Sequence, residues 1–186
     1  MRKVNKKGFT LIELLAVIII LGLLMAIAIP SVTRYIDQSR KKTLVSTIDN
    51  YIGAAVTGMN NGDYKFDVAG TEISSFETNT LYAIPVGCIS LEKGGGNPYG
   101  TWGEGSYVLV VYSGTNGYRF GFQFRDSSNH YMPMTAQSDI KQSSILQGDN
   151  SIGIIAPTTD GEFEDVEYIR TASINSTHCS DPWRSN

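Results

Sequence analysis

The sequence predicts an α+β protein. One long N-terminal helix, membrane-spanning in its first half and amphipathic in its second, packs on a C-terminal antiparallel β-sheet head. Three observations lead there. From Phe9 to Ile29 only Thr10 and Glu13 are polar, and at about 1.5 Å per residue a helix over that run spans roughly 31 Å, the thickness of a hydrocarbon core. From Val32 to Met59 apolar residues recur mostly at steps of three and four, the period of a one-sided helix. Beyond Asn60-Asn61-Gly62, runs of β-branched and aromatic residues are separated by glycine-rich turn chemistry.

The first element is short and basic, with Arg2, Lys3, Lys6 and Lys7 ahead of Gly8. The apolar run that follows competes with two other readings, the core helix of a soluble protein and an ordinary secretory signal. A secretory signal has a shorter apolar stretch and small residues at its C-terminal cut site. Here the run is long, and past Pro30-Ser31 it continues into an amphipathic pattern. The basic leader favours a cytoplasmic N-terminus, although Arg34, Arg40, Lys41 and Lys42 on the far side weaken that inference. Glu13 is the oddity. A carboxylate at the centre of a bilayer costs about 2.5–3.5 kcal/mol on insertion scales, so its presence points to function.

The second half of the helix places Val32, Tyr35, Ile36, Val45, Ile48, Ile52, Ala55, Val56 and Met59 on one stripe, with Asp37 and Lys41 spaced for an i,i+4 pair. Asn60-Asn61-Gly62 is the expected stop. Gly22 and Pro30 are poor helix formers inside it, and Pro30 removes one backbone hydrogen bond. In the head, Ser106–Tyr112 and Tyr118–Arg125 flank Ser113–Gly117 as an antiparallel hairpin. Tyr118, Phe120, Phe122 and Phe124 form its aromatic face, and Arg119, Gly121, Gln123 and Arg125 its polar one. Leu81–Leu91, Ile152–Ala156 and Val166–Arg170 are weaker strand candidates, and Lys93–Gly105, with six glycines, is a loop. The helix stripe and the aromatic face are the natural halves of one core.

Charge is unevenly placed. Residues 1–42 carry a balance of +6 and residues 43–186 one of −9. An acidic head argues against general binding to nucleic-acid phosphates and suits a surface that resists self-association. Cys88 and Cys179 both fall in the head and form a candidate disulfide if it is exported; two buried free thiols are the alternative.

The leader, Gly8, Phe9, Glu13 and the unbroken apolar run with Pro30 resemble the N-terminus of type IV prepilins, closely over residues 1–30 and loosely to Met59. The resemblance implies that a prepilin peptidase cuts between Gly8 and Phe9 and methylates the new Phe9 amine, and that Glu13 orders assembly. It implies loss of helix between Gly22 and Pro30 when subunits enter a fibre. It divides the chain into a removed leader (1–8), a transmembrane and assembly helix (9–30), an amphipathic helix (31–60) and a β-rich head (61–186). The implied role is a structural subunit of a type IV pilus serving adhesion, motility or DNA uptake. Its implied partners are like subunits, the peptidase, inner-membrane assembly machinery and, before assembly, lipid. The implied location is the cytoplasmic membrane first and an extracellular filament afterwards. A pseudopilin or minor pilin of a secretion or competence filament is the first alternative. A single-span anchored binding domain that never polymerises is the second.

Other residues read as structural. Arg40-Lys41-Lys42 is a solvated helix face before it is a lipid contact. The acidic run Asp160, Glu162, Glu164, Asp165 and Glu167 matches no calcium loop, and His178 beside Cys179 has too few ligand neighbours for zinc. Gly94-Gly95-Gly96 lacks the GK[ST] of a phosphate loop, and no nucleophile–histidine motif suggests an enzyme or a cofactor. His130 is expected on a loop surface. Trp102 and the tyrosines are expected to pack more than to bind a sugar or a surface.

Overall fold

In the computed structural model the described residues are 8–68, 71–72, 75–78, 80–89, 91, 95–103, 105–114, 117–148 and 168–174. The expected strand at Ile152–Ala156, the acidic run at 160–167, the basic leader before Gly8, His178 and Cys179 lie outside them. The chain forms two compact units, residues 1–39 and 40–186.

One helix, α1, runs Leu11–Asn61 with Pro30 inside it. In the first unit its apolar residues, Leu11 through Ile29, are exposed, as are Val32, Tyr35 and Ile36. That corrects the expected stripe at its N-terminal end. In the second unit the buried face is Leu44, Thr47, Ile48, Tyr51, Ile52, Ala55 and Gly58, still at three- and four-residue steps. Leu44 and Tyr51 were absent from the expected stripe. The helix stops where the sequence says it should. Gly62 sits at φ +76, the left-handed conformation that glycine adopts without a Cβ penalty. Its N–H donates to Met59 O at 3.1 Å and the Asp63 N–H to Gly58 O at 2.8 Å. These two bonds form a Schellman cap that satisfies the last carbonyls.

Eight strands form one sheet among the described residues. They are β1 Tyr64–Val68, β2 Thr71–Glu72, β3 Thr80–Pro85, β4 Tyr107–Tyr112, β5 Tyr118–Arg125, β6 His130–Ala136, β7 Leu146–Gln147 and β8 Tyr168–Ile174, in the order β2-β1-β8-β3-β4-β5-β6-β7. The five strands β3 to β7 are antiparallel as expected. The exception is β8, which lies parallel to β3 and antiparallel to β1. The sheet is therefore mixed, with β8, the last strand among the described residues, inserted between β1 and β3.

The predicted hairpin is β4–β5, with Tyr107 opposite Gln123 and Tyr112 opposite Tyr118. Its turn is closed by Ser113 N–H on Gly117 O at 2.8 Å. The candidate strand Leu81–Leu91 ends at Pro85 and gives way to a 3-10 turn over Val86–Cys88, closed by the Ile89 N–H on Val86 O at 3.1 Å. The candidate at Val166–Arg170 overlaps β8, which runs on to Ile174. Strand β6 contains Pro133, which argues against a strand by sequence. The register slips there, so that Pro133 and Met134 together oppose Gln123, and this bulge removes the need for a proline N–H.

One face of the sheet packs on the helix. Leu44, Ile48, Tyr51, Ile52 and Ala55 meet Phe66, Tyr82, Ile84, Val108, Val110, Phe122, Phe124 and Met132. The aromatic face of the hairpin thus finds the helix stripe, as expected. The other face is also buried, by a second cluster of Leu81, Ala83, Tyr107, Leu109, Val111 and Ala136. Gln123, expected on a polar face, is fully buried, and its Nε2 donates to Gly105 O at 3.2 Å. A strand buried on both faces reads as an unbroken apolar run, as Tyr107–Tyr112 does.

Candidate processing and assembly site

Gly8, Phe9 and Thr10 precede the helix and are exposed. A Cβ on Gly8 would meet nothing within 4 Å. Among the described residues, packing therefore gives no reason for glycine at that position. The Gly8–Phe9 peptide bond lies outside the first helical turn, in backbone that an enzyme can reach.

Thr10 is the N-cap of α1. Its backbone N–H and its hydroxyl each donate to Glu13 Oε2 at 2.8 Å, and its Oγ1 accepts from the Glu13 N–H at 3.4 Å. This is the reciprocal T-x-x-E capping box, which satisfies amides that a helix start otherwise leaves unpaired. A carboxylate in the first turn also faces the positive end of the helix dipole. Sequence reasoning singled out Glu13 and passed over Thr10, although the spacing of threonine and glutamate was the available signal. A solitary membrane anchor also gains from this carboxylate, since it caps the helix.

A Cβ on Gly22 would likewise meet nothing within 4 Å. Near Pro30 the hydroxyls of Ser31 and Thr33 donate to the carbonyls of Ile27 and Ile29 at 3.4 and 2.9 Å. The carbonyl that Pro30 deprives of a donor is that of Ala26, so these hydroxyls bond its neighbours instead, and such back-bonding softens a helix locally. The structure leaves α1 continuous through both residues.

Within the head, Cys88 is buried and disulfide-bonded. The chain has one other cysteine, Cys179. Trp102 is a packing residue. Its ring meets Tyr51, Phe122 and Phe124 edge-on, and its Nε1 donates to Gly95 O at 3.0 Å. The Tyr51 hydroxyl donates to the same carbonyl at 2.9 Å, so helix and glycine-rich loop share one acceptor. Burial pushes the Tyr51 phenol up from its ordinary pKa, a shift that its contact with Trp102 opposes.

His130 corrects the expectation of a loop surface. It opens β6, is buried, and stacks on Tyr99 with ring centres 3.8 Å apart. Its Nδ1 lies 3.4 Å from Asp126 Oδ2 without the alignment of a hydrogen bond. The Arg40 guanidinium sits 5.8 Å from the centre of the Tyr99 ring. Asp126 holds the turn by accepting from the Ser128 and His130 amides at 2.7 and 2.9 Å. Among the described residues no group of three or more His, Cys, Asp or Glu side chains is arranged to hold a metal.

Comparison with known proteins bears on the N-terminal segment. The prokaryotic N-terminal methylation motif matches residues 3–29. Over this segment the chain resembles the type IV pilins. The ComG operon protein 3 homolog of Bacillus licheniformis is 42% identical over 53 residues, 28% of this chain and 54% of that protein. The type IV major fimbrial protein FimA of Dichelobacter nodosus is 39% identical over 66 residues, 36% of this chain and 41% of that protein. The competence protein ComGC of Bacillus subtilis is 40% identical over 53 residues, 28% of this chain and 53% of that protein. The chain spans about half the length of these relatives, or less. No solved structure matches. The likeness thus covers at most about a third of the chain, and the rest stands on its own geometry.

Proposed function

We propose that this chain is a structural, non-enzymatic subunit of a type IV pilin-like filament. The observation that carries the reading is a single carboxylate, Glu13, at the start of an exposed apolar helix, just after the accessible Gly8–Phe9 bond and within the methylation motif. In this reading residues 1–8 are removed and residues 9–30 hold the subunit in the cytoplasmic membrane with its N-terminus inside. Residues 31–60 carry the head at 61–186 outward. Cleavage frees the Phe9 amine, whose charge persists on methylation. In a bundle of parallel helices, Glu13 of one subunit pairs with Phe9 of a neighbour, so two costly charges compensate each other in an apolar core. A displaced axial register leaves them apart. Gly22 and Pro30 let the helix loosen as subunits pack, and Cys88 pairs with Cys179 in the exported head.

Glu13→Ala is expected to be cleaved and methylated normally yet absent from filaments. Mass spectrometry of the mature N-terminus and recovery of sheared fibres measure the two steps, and a normal filament yield would sink the pairing. A chain that retains residues 1–8 with an unmethylated Phe9 would instead support a plain membrane anchor. A second reading, a competence pseudopilin, is favoured by the relative named as a competence protein. Antibody against the head separates them by electron microscopy: label along long surface fibres supports a pilus, and short or absent fibres support the pseudopilin.

A further inference from the structure

Glu13 meets its own chain through one oxygen. Both Thr10 donors converge on Oε2, and Oε1 has no hydrogen-bond partner among the described residues. A carboxylate held only by its stem must lose rotamer freedom when a partner arrives. Two bonds on one oxygen hold the carboxylate in the cap before that encounter and leave its second oxygen unused by the cap.

We infer that Thr10 is a positioning residue for assembly: it clamps Oε2 at the N-cap and leaves Oε1 as the acceptor offered to the free amine of a second copy of this chain. The inference rests on the proposed pairing of Glu13 with Phe9. No bond breaks in this step. An N–H of the neighbouring amine donates to Oε1, and both charges persist. In this arrangement the cap survives assembly, so a subunit keeps its helix start while gaining its neighbour.

The test expresses the full chain in its own host as Thr10→Val, Thr10→Ser, Thr10→Asp and Glu13→Ala. Filament yield is divided by the amount of cleaved subunit in the membrane, which removes differences in insertion and processing. Thr10→Val keeps the shape but loses the hydroxyl, and its normalised yield is expected to fall about tenfold, the size of one charge-assisted hydrogen bond. Thr10→Ser should restore it. Aspartate caps helices at least as well as threonine, but its ionised side chain has no hydrogen to give Oε2, so Thr10→Asp should stay low. Wild-type yield from Thr10→Val or from Thr10→Asp, or no rescue by serine, overturns the inference. Normal assembly of Glu13→Ala would overturn the pairing beneath it. Failure of Glu13→Ala together with normal Thr10→Val would sink the role of Thr10 alone.

Discussion

Two glycines five positions apart in α1 illustrate how single residues divide between packing and freedom. A Cβ on Gly58 would run into the ring of Tyr64, whereas Gly53 has nothing within 4 Å. Helix propensity favours alanine over glycine by about 1 kcal/mol. Gly53→Ala should therefore stabilise the head by roughly that amount. Gly58→Ala must displace an aromatic ring, and overpacking of this kind costs typically 1–3 kcal/mol, so its net effect should be neutral to destabilising. Thermal melts of the two variants in detergent should move in opposite directions or at least differ by about 1 kcal/mol. Tyr51→Phe removes one of two donors on Gly95 O and should cost about 1 kcal/mol, as a single buried hydrogen bond does.

Helix α1 carries its own weak point. Proline withholds one N–H from the ladder and costs about 3 kcal/mol in a helix interior, while Ser31 and Thr33 hold the carbonyls next to it. Pro30→Ala should slow amide exchange in residues 26–34 of the membrane-held subunit. If loosening near Pro30 lets the fibre extend, filaments of that variant should resist stretching in an optical trap more than wild type, and equal extensibility would count against melting there. The β5–β6 pair shows the opposite use of proline. Pro133 is accommodated by the bulge opposite Gln123, so the ladder bends without losing a donor it needs.

The head is held by tyrosines that prefer to stay neutral. Burial raises the Tyr51 and Tyr64 phenols above their ordinary pKa, and it raises Tyr118 with help from neighbouring Tyr112 and Tyr82. The unfolded chain ionises its tyrosines near pH 10. Below that pH these groups are neutral in both states and their contribution is fully present; as pH rises through the folded values it is lost. Stability should thus stay level in these groups up to about pH 10 and decline above it, with phenolate absorbance appearing together with loss of near-ultraviolet circular dichroism. The disulfide acts on the same unit. A link between Cys88 and Cys179 closes about 90 residues, worth up to ~4–5 kcal/mol in the chain-entropy description. Reduction should lower the head's melting temperature and leave the N-terminal helix signal unchanged.

Local patterns were legible. The apolar run, the stop at Gly62 and the β4–β5 hairpin follow from hydropathy period and turn chemistry, which short stretches encode fully. The T-x-x-E box is legible too, in the three-residue spacing of Thr10 and Glu13. Long-range pairing was not. That β8 slots between β1 and β3, running parallel to β3, depends on which edges are free once the other strands have met. That Gln123 and His130 are buried depends on what covers them, and both carry polar side chains that read as surface. Sequence therefore settled where elements begin, end and turn, because those steps rest on backbone donors and φ angles within a few residues. Tertiary contact settled which faces went dry and which strands became neighbours, because burial belongs to pairs of surfaces and no single stretch of chain contains both.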